Sequence, residues 1–206
     1  MDKEYWDNYY RKGIVEKTPS RFAEYVLKEH LKKDKKLVEL GCGNGRDSIY
    51  FARNNIHVLS IDGSESAINI LKTQNELSNI EFVNDNFVTT SYLDEKYNYV
   101  YSRFTLHAIS DDEQKQVIKR AYNALLKDGL LLVEVRSVND ELYGLGKKVG
   151  RNAFFYNDHY RRFLKIDEFM EQLEHTGFEI LYSAEQRNFA PHGQENPPII
   201  RVIAKK

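Results

Sequence analysis

Apolar positions along the 206-residue chain recur in two alternating rhythms. Short apolar runs suited to strands fall at Lys36 to Leu40, Ile56 to Ile61, Ile80 to Val83, Tyr97 to Tyr101 and Leu130 to Val135. Helical spacing separates them. Asp47 to Asn54 offers Ile49, Tyr50 and Ala52 for burial, and Ser64 caps a helix running through Ala67, Ile68, Ile70 and Leu71. Ser110 and Glu113 have capping-box spacing and open a helix toward Leu126, with Gly129 where a helix C-terminus favours glycine. Ile166, Phe169, Met170 and Leu173 form one helix face, which Gly177 stops. Phe178 to Tyr182 and Ile199 to Ala204 predict a closing hairpin with a long loop. Upstream, Thr18 and Pro19 read as N-cap and first turn of a helix through Leu31, and a short helix is expected in the first dozen residues. Strand and helix signals in alternation predict βαβ units, hence an α/β protein with a mainly parallel sheet.

The length fits one domain, residues 1–206, with residues 1–35 as an N-terminal helical cap. Residues 137–165 break the rhythm and read as an insertion over the sheet edge. No apolar run approaches the roughly 20 residues of a membrane span. The charged, aromatic N-terminus is not a secretory signal, so a soluble, cytoplasmic protein is expected. Thirty Lys and Arg against 31 Asp and Glu give no global reason to bind nucleic acid. The single cysteine, Cys42, rules out an internal disulfide and a cysteine-cluster metal site, and no His/Asp/Glu spacing suggests a metal.

Chemistry concentrates in LVELGCGNGRDS, residues 37–48. A strand ends at Glu39 and Leu40, glycines follow at 41, 43 and 45, and a helix begins. Glycine there lets the backbone turn tightly and come close to a ligand, and the helix N-terminus adds open N–H groups. The dinucleotide pattern G-x-G-x-x-G would need a third glycine at residue 46, which is Arg46. Two companions sharpen the motif. Asp62 ends the second strand, where a carboxylate can accept ribose hydroxyls. Asp85 ends the third, where it can accept from an adenine amino group, with Phe87 beside the ring.

These residues resemble the class I S-adenosylmethionine-dependent methyltransferases: ELGCGNGRDS the first motif, SIDGS the second-strand acid, NDNF the adenine motif, YVYSRFTLHAI the fourth-strand region. The resemblance implies a Rossmann-like doubly wound sheet of seven strands, with the last one antiparallel. It implies S-adenosyl-L-methionine as cofactor, S-adenosyl-L-homocysteine as product and no metal. Glu39, Gly41, Gly43 and Gly45 would surround the methionine moiety, Asp62 with Gly63 the ribose, and Asp85, Asn86 and Phe87 the adenine. Ser102 and Arg103 would lie on the sulfonium side. Trp6, with Tyr5, Tyr9 and Tyr10, would form a lid over the cofactor or else a core-packing face. NGRD is similar to the small-molecule branch of tellurite-resistance and thiopurine-type enzymes. The C-terminal stretch HYRRFLKIDEFMEQLEHTGFEILYSAE resembles methyltransferases of bacterial capsule and surface-polysaccharide pathways, some of which serve methyl phosphoramidate modification.

The acceptor clue follows the fifth strand. Arg136, Arg151, His159, Arg161, Arg162, Arg187, His192 and Arg201 supply forks and imidazoles suited to an anion. Asp158, Asp167, Glu168, Glu185 and Glu195 balance them, so a solvated surface is the competing reading. Arg103, Arg136, Arg161 and Arg162 are the candidate acceptor-binding residues. His107 and His159 are the candidate bases for a hydroxyl acceptor, with core packing as the alternative for His107. The function expected is methylation, mainly at oxygen, of a small anionic acceptor. The competing functions are N- or S-methylation of a neutral or cationic molecule, and a cofactor-binding protein without catalysis.

Overall fold

The computed structural model describes residues 18–206, so the helix expected in the first dozen residues, with its four aromatic side chains, lies outside the described residues. Seven strands form one sheet in the order β3-β2-β1-β4-β5-β10-β9. Strands β1 (Lys36–Leu40), β2 (His57–Asp62), β3 (Ile80–Asn84), β4 (Tyr97–Arg103) and β5 (Leu125–Arg136) are parallel. The last strand, β10 (Ile199–Lys205), is antiparallel to both neighbours, β5 and β9 (Glu179–Gln186). This is the predicted doubly wound sheet with an antiparallel last strand. Strand order reverses between β1 and β4, the switch point at whose carboxyl ends doubly wound sheets bind ligands.

Helices cover both faces. On one side, α1 (Arg21–Glu29), α2 (Arg46–Arg53) and α3 (Glu65–Gln74) pack Phe22, Val26, Phe51, Ile68 and Leu71 against Leu37, Tyr99, Tyr101, Leu130 and Leu132. On the other, α4 (Asp111–Ala124) and α5 (Ile166–Thr176) pack Val117, Ile118, Phe169 and Leu173 against Val38, Val100, Leu131, Val133 and Val135. The continuous run of β5 is thus divided by strand alternation between two cores.

Local signals placed several boundaries slightly wrong. The N-cap of α1 is Ser20, not Thr18, because the Ser20 hydroxyl accepts from the Ala23 N–H while donating to the buried Asp47 carboxylate. The helix ends at Glu29, and α2 buries Phe51 and Ala52, leaving Ile49 and Tyr50 half-buried. The Ser110–Glu113 capping box forms as predicted, but α4 stops at Ala124. Gly129 caps nothing: the left-handed residue is Asp128, and a Cβ at Gly129 would meet the Asn98 carbonyl at 3.0 Å. Residues 137–165, which had no readable pattern, carry an antiparallel three-stranded sheet of β6 (Lys147–Gly150), β7 (Ala153–Tyr156) and β8 (His159–Arg162). Its strands pair as two local hairpins that turn at Arg151–Asn152 and at the left-handed Asn157–Asp158, a short-range turn signal that the sequence reading missed.

One charged residue sits inside the apolar run Leu130–Val135 of β5. Glu134 is fully buried and lies in register with Arg103 of β4 and Arg201 of β10. Its two oxygens accept from Arg103 Nε and Arg201 Nη2, each at 2.9 Å. Replacing Glu134 with Ala leaves two buried guanidinium groups without their counter-ion, an expected loss of about 3–5 kcal/mol. Urea denaturation of Glu134→Ala beside the parent protein measures it; a loss under about 1 kcal/mol would contradict the buried triad.

Candidate active site

The glycine-rich loop between β1 and α2 is left-handed at all three predicted glycines: φ is +78° at Gly41, +54° at Gly43 and +71° at Gly45. Two of them are also required by space. A Cβ on Gly41 would come within 2.2 Å of Thr105 Cγ2, and one on Gly45 within 2.7 Å of Leu71 Cδ2. The loop is tied to the end of β2, where the N–H groups of Gly41 and Cys42 donate to the Ile61 carbonyl. The Asp62 carboxylate accepts from Gly43 N at 2.7 Å and Ser64 N at 2.8 Å. Burial pushes that carboxyl above its ordinary range, against the two N–H groups that pull it down. Gly63 is half-buried between them, and Cys42 is a buried free thiol, as packing predicts.

Glu39 is buried and accepts from the Ser48 hydroxyl, which in turn accepts from Ser60 Oγ at 2.7 Å. Burial, reinforced by Asp47, pushes its carboxyl well above the usual range. Asp47 itself accepts from Ser20 N and from the hydroxyls of Ser20 and Tyr101 at 2.7–2.8 Å, locking α1 onto α2 beneath the loop. At the third strand end, Asp85 is half-buried and Asn86 exposed; Asp85 N donates to the Asp62 carbonyl, so the two acids are neighbours. Phe87 departs from its expected place. It is 1% exposed and belongs to the core below the loop, which leaves its ring no face for adenine. Ser102 is likewise buried, bonded to Thr105 Oγ1 at 2.5 Å, and supports the segment that packs on Gly41.

The acceptor-side candidates separate into two groups. Arg162 is 6% exposed and donates to the carbonyls of Leu106 and Ile109 and to Gln114, so it fastens the loop after β4 instead of facing a ligand. It also walls a separate cleft of about 570 Å³ between α4 and α5 that shares no residue with the glycine loop. Arg201 pairs with Glu134 and lies over the rings of Phe22, Tyr25 and Phe189, while Arg151 pairs with Glu168 and Arg187 with Glu141. Of the four candidate acceptor-binding arginines, Arg162 is thus committed to contacts within the protein, as is Arg201 among the other C-terminal bases. The second group gathers after β4 and β5. Arg103 lies over the Phe104 ring at 4.3 Å and Arg136 at 5.8 Å, with Arg136 also paired to Asp140. Arg136 and Arg161 are close enough for their charges to act on both His107 and His159.

Those two histidines are nearly buried, 5% and 4% exposed. Burial, then the charge of Arg136, holds His107 well below its ordinary pKa; burial, then Arg161, lowers His159 to about 4. Both imidazoles are neutral at pH 7. The Arg136 N–H donates to His107 Nδ1 at 3.3 Å, which leaves the proton of the neutral ring on Nε2. The geometry thus corrects the reading of His107 as a base: its accepting nitrogen is engaged, and the other is a donor. His159, at about 4, is too weakly basic to take a hydroxyl proton efficiently.

Sequence reasoning missed Glu134, Phe104 and the Asp47–Tyr101 contact. A lone acid inside the apolar run LLLVEV was a readable signal for Glu134. Nothing local marks the other two.

The profile of a methyltransferase domain family matches residues 8–183. The chain belongs to that family, and its sheet is that of a class I S-adenosylmethionine-dependent methyltransferase. Among curated relatives, a malonyl-[acyl-carrier protein] O-methyltransferase of Bacillus anthracis is 31% identical over 99 residues, 47% of this chain and 36% of that protein. A phosphoethanolamine N-methyltransferase of Arabidopsis thaliana is 34% identical over 109 residues, 52% of this chain and 22% of that protein. The chain therefore spans well under half the length of these two relatives. A solved S-adenosylmethionine-dependent methyltransferase from Methanosarcina mazei superposes with a TM-score of 0.76 at 18% identity, over 88% of this chain and 96% of that one, a likeness of fold. Among the described residues no cluster suited to a metal ion occurs, and no helix is long and apolar enough to cross a membrane.

Two outcomes are expected. Gly41→Ala, strained at φ +78° and in collision with Thr105, should weaken S-adenosylmethionine binding more than tenfold in calorimetry; unchanged affinity would remove the loop from the site. Because His159 is neutral in the folded protein and protonates near 6.5 when unfolded, stability should fall as pH drops from 6.5 toward 4. The contribution of His159 is about 2 kcal/mol after allowance for solvent at its edge. Denaturation of the parent and His159→Gln at pH 7 and pH 4.5 isolates it, since the variant lacks this part of the slope.

Proposed function

We propose that the protein transfers a methyl group to an anionic oxygen of a small acceptor held by Arg136 and Arg161. The observation that carries the reading is a pair of imidazoles kept neutral first by their burial and then by the charges of Arg136 and Arg161, which gather beside them. A hydroxyl acceptor needs a base, and neither histidine is suited to act as one. An oxygen already ionised at neutral pH, as in a phosphoryl or carboxylate group, needs none. The arginine charges that add to the effect of burial on the histidines attract such a group. One relative's name states a phosphate-bearing acceptor methylated at nitrogen, phosphoethanolamine, which supports a phosphate in the acceptor and not the oxygen as the methylated atom.

The residues at the strand ends fit a bound S-adenosylmethionine. The left-handed glycines leave backbone where a Cβ would collide, and the N-terminus of α2 follows. In this reading Gly41, Gly43 and Gly45 border the methionine portion, with Glu39 supporting them from below through Ser48. Asp62 spends one lone pair of each oxygen on Gly43 and Ser64 and keeps others for the ribose hydroxyls. Asp85 and Asn86 stand at the adenine end. When bound, the cofactor supplies an electrophilic methyl group on a sulfonium.

This chain's contribution is alignment and exclusion of water. Arg136 and Arg161 would bind the non-attacking oxygens, because a guanidinium on the attacking oxygen would lower its nucleophilicity. His107, with its proton on Nε2, can donate to a neighbouring acceptor oxygen. In this reading the small sheet of residues 147–162, which carries His159 and Arg161, covers the acceptor side.

The test is S-adenosylhomocysteine release with a panel of nucleoside-diphosphate-linked phosphoryl compounds, sugar phosphates, carboxylates, thiols and amines. Turnover is expected with phosphoryl or carboxylate acceptors. Arg161→Ala should raise the acceptor KM about tenfold with cofactor affinity unchanged. Arg162→Ala should instead destabilise the fold. Turnover confined to thiols or amines, indifferent to Arg161→Ala, would replace this reading with N- or S-methylation of a neutral or cationic molecule.

A further inference from the structure

Eight described residues other than glycine have positive φ, and seven are Asn or Asp, the residues that tolerate a left-handed backbone. The exception is Phe104, at φ +59°, in the first position after β4. Such an outlier persists only where its surroundings hold it in place. Here they do. The Phe104 N–H donates to the Glu134 carbonyl at 2.8 Å, and Glu134's carboxylate holds the adjacent Arg103 side chain. Thr105, the next residue, packs on Gly41 of the cofactor loop. The Phe104 ring is half-buried, with Arg103 Cζ at 4.3 Å, Arg136 Cζ at 5.8 Å and the His107 ring at 5.5 Å.

An unstrained chain would put Gly or Asn at this position. A guanidinium stacked on an aromatic ring spends its face and keeps its in-plane N–H groups. Glu134 takes the Nε–H of Arg103 and Asp140 one terminal N–H of Arg136, which fixes each fork at one edge. The ring lies beneath Arg103 and within reach of Arg136. From this geometry we infer that Phe104 is a positioning residue for the acceptor: it orients the Arg103 and Arg136 forks so that their remaining N–H groups meet an anionic oxygen beside the cofactor loop. This inference rests on the anionic reading of the acceptor given above and assigns the orientation of its anion to one aromatic ring.

The test compares Phe104→Gly and Phe104→Leu with the parent. Glycine suits the left-handed backbone, so the fold should survive, with a melting temperature within a few degrees of the parent. Leucine keeps bulk without a π face. Both variants should raise the KM for the acceptor found in the panel about tenfold, with cofactor affinity unchanged and a smaller change in kcat. In proton–nitrogen spectra, the Nε–H resonances of Arg103 and Arg136 should shift on loss of the ring. Unchanged KM together with unchanged guanidinium resonances in Phe104→Gly would overturn the proposal. So would a KM rise accompanied by equal losses of cofactor affinity and melting temperature, which would mark a structural role only. Turnover confined to thiols or amines would overturn the anionic acceptor and this proposal with it, whereas turnover of phosphoryl or carboxylate acceptors with a KM indifferent to Phe104 would overturn the proposal alone.

Discussion

The Glu134 carboxylate is the contact on which the junction of β4, β5 and β10 and the loop after β4 depend. It lies in one cross-strand row with Arg103 and Arg201, so a single buried charge ties β4, β5 and β10 together. Its carbonyl also receives the N–H of Phe104. A charge buried in a sheet is costly unless paired and hydrogen-bonded, and here both oxygens are used. Because the row crosses from a parallel to an antiparallel neighbour, it fixes the register in which the last strand closes the sheet. It also fixes where β4 releases the chain into the loop bearing Phe104, Thr105 and His107.

That loop links the two halves of the site. Thr105 stands against Gly41, so the glycine turn and the loop after β4 are packed on each other where the strand order reverses. Arg162 secures the same loop from the insertion by donating to the carbonyls of Leu106 and Ile109. A residue with every appearance of an anion ligand is thereby a structural fastener whose charge also acts on His107, and its neighbour Arg161, on the opposite side of β8, is the one that acts on His159. Strand alternation makes that division: two adjacent arginines cannot face the same way.

The fold was legible because its signals are short-range. Strand runs, the Ser64 and Ser110 caps, the Gly177 stop and the glycine turn each express the conformational preference of a few consecutive residues. Errors came where a distant partner decided. Ser20 outcompetes Thr18 as a cap because Asp47, far along the chain, holds its hydroxyl. Gly129 lost its expected role to Asp128 because the space beside it is filled by the Asn98 carbonyl. In the site, Asp62 and the three glycines were found from sequence, but Phe87 and Ser102 proved to be buried supports, and His107 an imidazole whose accepting nitrogen is already taken.

The sequence by itself determined the alternation of strands and helices, the left-handed cofactor loop and the acids at the second and third strand ends, since each follows from local backbone preference and periodicity. Only the tertiary structure decided which arginines gather, which histidine nitrogen is engaged, and why an aromatic residue holds a conformation left elsewhere to Gly, Asn and Asp. Those outcomes depend on cross-strand register and on electric fields between residues far apart in the chain, and neither is encoded in any short stretch of it.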